Sequence, residues 1–458
     1  MSSIKKKIGL IVIILFIVSI YSIYKGVTGN KNYTSVANEK YVKVSSVNFD
    51  RTIYKLTIGN TYIPNKTILP NNATNKAVTW SSSDKNIVEV DDDGVISGVH
   101  TGTAKITATT VDGHKTSTCT VTVADHEPDD TIITFKDKNL ENNIRYSIHK
   151  STGDLYKSDV KNIITLLASG QDIKDISGIE NLVNLQMINL GNNQISDITS
   201  LKGLTNLQTL YLDHNEINDI NPLQTLTKLQ TLGLKNNQIS NISILKELTN
   251  LQTLALNFNK INDISSLKGL TNLYSIDLQS NKISDISSLK GLTNLHYLYA
   301  ESNEISDVSA LKSLTKLQNL SLQSNKIRNI SSIKGLNELN SLILSYNEIS
   351  DISALSGLTN LQFDLDLQSN RISDISPLKK LTKLQNLSLS SNKLSNLNSL
   401  AALADLQFLE LKNNEISNIN PLKKMSHLEY LFLQGNKIST DDQKALKKAL
   451  LQLKNIYY

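Results

Sequence analysis

An asparagine that returns at a fixed interval constrains this chain more than anything else in it. Asn193, Asn215, Asn237, Asn259, Asn281, Asn303, Asn325 and Asn347 stand 22 residues apart, one step of 23 leads to Asn370, and steps of 22 resume through Asn392, Asn414 and Asn436. Each closes a phrase such as Leu207-Gln208-Thr209-Leu210-Tyr211-Leu212-Asp213-His214-Asn215. The alternation of Leu210 and Leu212 has period two, so both face one side of a short strand, while Thr209, Tyr211 and Asp213 face the other. A unit this short cannot bury its leucines alone. Stacking a dozen of them pairs the strands into a parallel sheet over one continuous core.

The pattern L-x-x-L-x-L-x-x-N is the signature of leucine-rich repeats. The asparagine falls where the chain leaves the strand, and there its amide can donate to and accept from backbone groups of adjacent turns. Losing such a buried partner costs roughly 1–3 kcal/mol, so these asparagines are read as structural. The return path of each unit is brief. Asp197-Ile198, Asp219-Ile220, Asp263-Ile264, Asp285-Ile286 and Asp351-Ile352 precede a small polar residue and then Leu-x-x-Leu, and Pro222, Pro377 and Pro421 sit where proline suits a helix start. Short 3₁₀ turns rather than full helices are expected on the convex side. About thirteen strands at ~4.8 Å spacing give an inner face on the order of 60 Å long, enough for a protein or an extended glycan. The extra residue among Gln362, Phe363 and Asp364 is expected to form a bulge ahead of Leu365.

The 458 residues carry a formal net charge of +5 and one cysteine, Cys119, so no disulfide framework is possible within one chain. No lysine and arginine stripe lies beside aromatics, which argues against nucleic acid. Only the N-terminus is strongly biased. Lys5, Lys6 and Lys7 precede an apolar run from Ile8 to Tyr24, the pattern of an export segment over residues 1–29 with the remainder outside the cell. Seventeen helical residues span ~25 Å, just short of a bilayer core. The run is therefore read either as an uncleaved anchor, the only membrane contact expected, or as a cleaved signal peptide. No cysteine follows it to carry a lipid, and no L-P-x-T-G occurs, so neither lipoprotein anchoring nor wall sorting is expected.

Residues 30–40 read as a polar tether. From Tyr41 to Asp125 short strands alternate with turns: Val78-Thr79-Trp80-Ser81-Ser82-Ser83, Ile87-Val88-Glu89-Val90, the turn Asp91-Asp92-Asp93-Gly94, then Gly102 to Ala108 and Cys119 to Val123. Evenly punctuated strands of this kind imply a β-sandwich. The ordered motifs V-T-W-S-S-S-D, V-D-D-D-G-V-I-S-G, G-T-A-K-I-T-A and T-C-T-V-T-V resemble bacterial immunoglobulin-like domains of group 2. The resemblance implies a seven-stranded sandwich serving as spacer or adhesive module, with Trp80 and Cys119 as core residues. The Asp91 cluster is read as a hairpin turn, because the glutamate that a calcium loop needs at its twelfth position is His100.

Residues 126–134 read as a linker. Over 135–162, Leu140, Ile144 and Ile148 recur at helical spacing, with Val160, Ile163 and Ile164 on a second short helix, together a polar-faced cap for the stack. Repeats are expected over 163–438, opening with a degenerate unit whose asparagine slot holds Gln171, and a capping helix and tail over 439–458. F-K-D-K-N-L, the helical cap, I-K-D-I-S-G-I-E-N-L-V-N-L and the N-x-I-x-D-I units resemble the internalin family of Gram-positive surface proteins. That resemblance implies a capped, curved solenoid whose concave face recognises a protein. Two features depart from it: the Ig-like domain precedes the repeats instead of following them, and the wall-sorting signal is missing.

Catalytic machinery is not evident. The seven histidines have no metal-ligand spacing, and no G-x-S-x-G or phosphate-binding glycine loop occurs, so no cofactor, metal or catalytic residue is expected. Asp364 and Asp366 lie two apart on a strand, ~6.7 Å by strand rise, but an open arc offers no enclosure to shift a carboxyl pKa. They are read as solvated. Function is instead written in the outward slots, most of which are small or polar. The exceptions are Tyr211 with His214; Asp277, Tyr297, Tyr299 and Glu301; and Phe408, Glu410, Lys412, Tyr430 and Phe432, this last group either open or lying under the capping helix. Gly233 and Ala255 are expected to leave a shallow depression between Tyr211 and the Asp277/Tyr299 pair. Aromatic residues in a concave, otherwise polar sheet are the type enriched in binding hot spots. The chain reads as an exported, non-catalytic recognition protein on the outer side of a Gram-positive cell, secreted or anchored, with a protein ligand in adhesion or host interaction. An envelope component that binds wall glycan or organises other surface proteins is the second reading.

Overall fold

The computed structural model describes residues 40–127 and 130–458, so the stretch expected to direct export and nearly all of the expected tether lie outside the described residues. No helix among the described residues is long and apolar enough to cross a membrane. The chain divides into two compact units, residues 1–127 and 128–458.

The first unit is an Ig-like sandwich. A four-stranded sheet runs Ile53–Thr57, Thr116–Ala124, Gly102–Thr110, Val78–Ser82, and a three-stranded sheet runs Thr61–Tyr62, Ile96–Gly98, Val88–Val90. These make the seven strands expected, and Ser46–Phe49 with Lys66–Leu69 adds an antiparallel pair. Alternation places Tyr54, Leu56, Ile106, Cys119, Val121 and Val123 from one sheet against Val88 and Ile96 from the other in a single core. Cys119 is 1% exposed, and loss of hydration pushes its thiol pKa up to about 11. Trp80 departs from expectation. It flanks the core only half-buried, stacked on Phe49 at 5.9 Å with the Lys66 ammonium 5.0 Å from its ring. The Asp91 cluster is the hairpin turn between Val90 and Ile96, with Asp91 Oδ1 accepting from the amides of Asp93 (3.1 Å) and Val95 (2.8 Å).

The second unit is a leucine-rich-repeat solenoid. Its parallel sheet has 14 strands in strict sequence order, from Thr165–Leu167 to Asn455–Tyr457. Strand partners sit 22 residues apart, as in Leu254 with Ile276 and Leu298 with Leu320. The opposite side carries 3₁₀ turns of three to five residues, such as Asn221–Thr225 with its proline at the start. The leucines and isoleucines between these layers are almost all fully buried. The asparagine ladder is present as well. Asn325 donates to the carbonyls of Ala300 and Leu322 (both 3.0 Å) and accepts from the amide of Ile305 (3.0 Å), joining two units through one side chain.

The 23-residue step is absorbed as a bulge. Elsewhere two successive amides converge on one carbonyl, as Gln407 and Phe408 do on Gln385. At the insertion they separate, Gln385 donating to Gln362 and Asn386 to Phe363, and Phe363 is 50% exposed. The ladder continues unbroken, with Asn370 still bonded to the Leu344 carbonyl at 3.0 Å.

Both ends of the stack differ from the sequence reading. Ile132–Ile133, placed in the linker, pairs with Leu155–Tyr156. The first cap helix, Lys138–Ser147, is capped by Asp137, whose other oxygen accepts from the Lys174 amide at 2.8 Å and so ties the cap to the first repeat. The second helix is one turn, Lys157–Val160; Ile163 is buried beyond it and Ile164 is 54% exposed. Gln171 does not act as a ladder residue, since its amide nitrogen reaches only the Ser169 carbonyl (3.2 Å). At the far end the helix spans Thr440–Ala449 and buries Leu446. The tail then returns as a fourteenth strand, aligning Tyr457 with Phe432. It falls outside the 22-residue period and carries no L-x-L phrase.

Leu254 is 1% exposed while Thr253 beside it faces solvent. Leu254→Ala is expected to cost roughly 2–5 kcal/mol through the cavity it leaves, and Thr253→Ala a small fraction of that. Denaturant melts of the two variants check the assignment of faces; equal losses would contradict it.

Candidate functional site

Register builds the outward face as columns. The last residues of successive strands align, so Gly233, Ala255, Asp277, Tyr299 and Ser321 form one row across the sheet. The slot two residues further on carries Asp213, Lys235, Asn257, Gln279 and Glu301. The next slot has a conformation that periodicity alone does not reveal. Asn192, His214, Asn236, Phe258, Ser280, Ser302, Ser324, Tyr346, Ser369, Ser391 and Asn413 all have φ between 50° and 57°. A left-handed residue there turns the chain off the strand so that the next side chain, the ladder asparagine, points inward. Polar residues tolerate the conformation best. Phe258 and Tyr346 occupy it against that preference, and they are 43% and 48% exposed.

The Tyr297 group is a cluster. Tyr297 packs edge-on against Tyr274 at 5.3 Å, and Tyr274 lies over His296 at 4.3 Å. The sequence reading did not single out Tyr274 and His296, which fall one residue ahead of the strand in their units. Tyr297 and Tyr299 are half-buried, and burial raises the Tyr299 phenol above its ordinary range. Asp277 Oδ1 accepts from the Gln279 amide at 3.0 Å, and Glu301 Oε2 is enclosed with no hydrogen-bond partner. Desolvation pushes both carboxyls above the usual range.

Around Tyr211 the expected depression is only half there. Gly233 is buried: a Cβ at that position would lie 2.6 Å from the Asp213 carboxylate and 2.9 Å from the Tyr211 ring, so these two side chains cover it. Asp213 was not singled out by the sequence. It lies across the next unit, accepts from the Lys235 amide at 2.8 Å, and burial raises its pKa. The glycine in register on the following strand is the signal that could have found it. His214 stands at the left-handed slot with Nδ1 2.9 Å from Asn236 Nδ2. Ala255 remains as the opening beside Asp277.

The third group lies on the sheet face, not under the capping helix. Phe408, Tyr430, Phe432 and Tyr457 form a connected aromatic ladder, the last pair stacked at 4.9 Å with 7° between planes. Lys412 places its ammonium 4.5 Å from the Phe432 ring and donates to Glu410 at 3.2 Å, so Glu410 is already paired. Between this ladder and the bulge lies a hollow of about 430 Å³, lined by Ile343, Asp364, Asp366, Ser388, Phe408 and Glu410 among others. Asp364 accepts from the Asn386 amide nitrogen and Asp366 from the Gln368 backbone, so both carboxylates of the weighed pair have partners.

Comparison with known proteins agrees with this architecture. Residues 43–121 match the family Bacterial Ig-like domain (group 2). Six segments from 161–203 to 405–448 match Leucine Rich repeats (2 copies), and 315–372 match Leucine rich repeat. An internalin from Listeria monocytogenes is 36% identical, with a TM-score of 0.59 over 65% of this chain and 95% of that one. The plant peptide hormone receptor RGFR1 in complex with RGF2 is 25% identical, with a TM-score of 0.53 over 62% of this chain and 54% of that one. An uncharacterized protein of Clostridium acetobutylicum is 39% identical over 87 residues, 19% of this chain and 9% of that protein. The chain spans less than half the length of the first curated relatives it matches.

A carboxyl whose pKa is raised by folding binds its proton more tightly in the folded state, so stability falls as pH climbs from the ordinary value through the raised one. Glu301→Gln is therefore expected to match the wild type well below the ordinary glutamate value of 4.5 and to exceed it in denaturant midpoint above that. A difference that instead shrinks as pH rises would show Glu301 to be paired.

Proposed function

The chain belongs to the leucine-rich-repeat family, with repeats of the internalin type following a group 2 Ig-like domain, and from that premise we propose that it is an exported recognition protein that binds a protein ligand on the concave face. The observation that carries this reading is the pair of half-exposed aromatic clusters on one sheet face, Tyr274 to Tyr299 and Phe408 to Tyr457. A protein with no partner has no need of such rings on an outward sheet, and rigid aromatics in a polar surround are what hot spots are made of. Exposed Phe258 and Tyr346, held in a backbone conformation that disfavours them, point the same way. The internalin of Listeria monocytogenes, alike along nearly its whole length, supports the class. The Ig-like domain is the spacer in this reading, and the site has no catalytic role.

The second reading, an envelope component that binds wall glycan or organises other surface proteins, draws on the hollow beside the bulge, where Phe408 and Ile343 flank a polar floor. A retained N-terminal anchor would hold the molecule near the membrane and favour this role, whereas release favours an external partner. N-terminal sequencing of the mature protein from the native cell separates the two.

Tyr299→Ala is expected to weaken the partner, once isolated by pull-down, by roughly thirtyfold or more, with Tyr297→Ala close behind. Changes at convex Lys268 and Lys290 should be silent. If the double Tyr297/Tyr299 variant binds normally while deletion of the Ig-like domain abolishes binding, recognition lies in the sandwich and this site assignment fails.

A further inference from the structure

Within the concave face, one stretch of three adjacent units holds two enclosed acceptor oxygens that no donor reaches. Asn257 is 5% exposed, yet its Oδ1 has no hydrogen-bond partner. It fills the slot that Asp213 fills two units earlier, where the side chain lies across the last residue of the next strand, within 2.6 Å of the Cβ position of Gly233. Asn257 stands two residues beyond Ala255, whose register partner on the next strand is Asp277. Asp277 spends one oxygen on its own turn, and Tyr299 is its partner on the strand that leads to Glu301. Glu301 Oε2 is enclosed and unpartnered. Among the described residues neither carboxylate enters an ion pair within 4.0 Å. The nearby Lys235 ammonium instead lies 5.8 Å from the Phe258 ring.

Buried acceptors without donors are costly, and a folded protein retains them where something else brings the proton. Resting on the concave-face reading above, we propose that Asn257, Asp277 and Glu301 form a subsite for a basic side chain of the protein ligand, an arginine or lysine. A guanidinium or ammonium supplies several donors to these oxygens and neutralises two carboxylates that have no ion-pair partner within 4.0 Å. Tyr299 and Phe258 offer it ring faces on either side. A divalent cation fits less well, because no group of three or more His, Cys, Asp or Glu residues among those described could hold a metal.

Fluorescence anisotropy with the full chain tests this, using labelled peptides of four arginines, four lysines or four glutamates as probes. The basic peptides should bind and the acidic one should not. The double variant Asp277→Asn, Glu301→Gln should weaken the arginine peptide about tenfold or more, as removal of a buried charge partner does. Asp285→Asn with Asp307→Asn, an equal change of charge on the exposed convex side, should alter it less than about twofold, since solvated charges are screened. Lys235→Ala, which removes the competing cation, should tighten it. An unchanged or raised melting temperature for the concave variant excludes unfolding as the cause. Absence of basic-peptide binding, equal loss from the convex pair, or displacement of the peptide by millimolar calcium would overturn the subsite. A native partner that stays sensitive to Tyr299→Ala while basic peptides fail to bind sinks only this subsite; a partner indifferent to both sinks the concave-face reading as well.

Discussion

Everything in the second unit depends on a side-chain amide that bonds across units at the point where the chain leaves the sheet. Each ladder asparagine donates to a carbonyl of the preceding unit and another of its own, and accepts from an amide 20 residues back (21 at Asn370), as Asn347 does with Leu322, Leu344 and Ile327. Leucine burial supplies most of the stabilisation, but it is non-directional and would tolerate slippage between units. The asparagine supplies direction. A backbone carbonyl buried at a turn needs a donor, and only a side chain of this length, held after a left-handed residue, reaches two of them. The bulge at Gln362 and Phe363 shows which constraint prevails: the extra residue distorts the strand, while Asn370 keeps its bonds to Leu344 and Leu367.

This hierarchy explains what the sequence made legible. Period, facing of the leucines, short convex turns and the place of the insertion all follow from repetition, because each unit obeys the same constraint as its neighbours. The sandwich was legible from its turn spacing and ordered motifs. Features without a repeated neighbour were not. The strand Asn455–Tyr457 follows a helix, 25 residues beyond its partner Tyr430, and so falls outside the 22-residue period. Trp80 resembles a core residue by type, but its strand is the edge of the four-stranded sheet, where one flank stays open.

The site was legible in part for the same reason. Outward slots could be listed, so Tyr211, Asp277, Tyr297, Tyr299, Glu301, Phe408 and Phe432 were found by being unlike their column. What side chains do once there depends on the next unit. Asp213 becomes half-buried because Gly233 leaves room for it, and Phe432 is partly covered because a tail strand places Tyr457 against it. Burial of a surface carboxylate is thus a property of two units at once, and single-column reading cannot deliver it.

The left-handed slot carries the argument one step further. Serine, asparagine or histidine fills it in most units, and their short polar side chains suit that backbone. An aromatic residue there pays roughly 1–2 kcal/mol in backbone strain. Phe258 and Tyr346 recover little of this by packing, since about half of each ring remains in solvent. The same stretch of the stack holds desolvated Asp213, Asp277 and Glu301, each less stable ionised than it would be in water. Two aromatic left-handed residues and three desolvated carboxylates therefore fall between Asp213 and Tyr346 on the outward face, above a core of buried leucine and isoleucine. A repeat fold can carry this because its stability is a sum over units and a few unfavourable slots leave the core intact. Selection for folding alone would remove such residues, so their presence together supports a surface kept for contact with a partner.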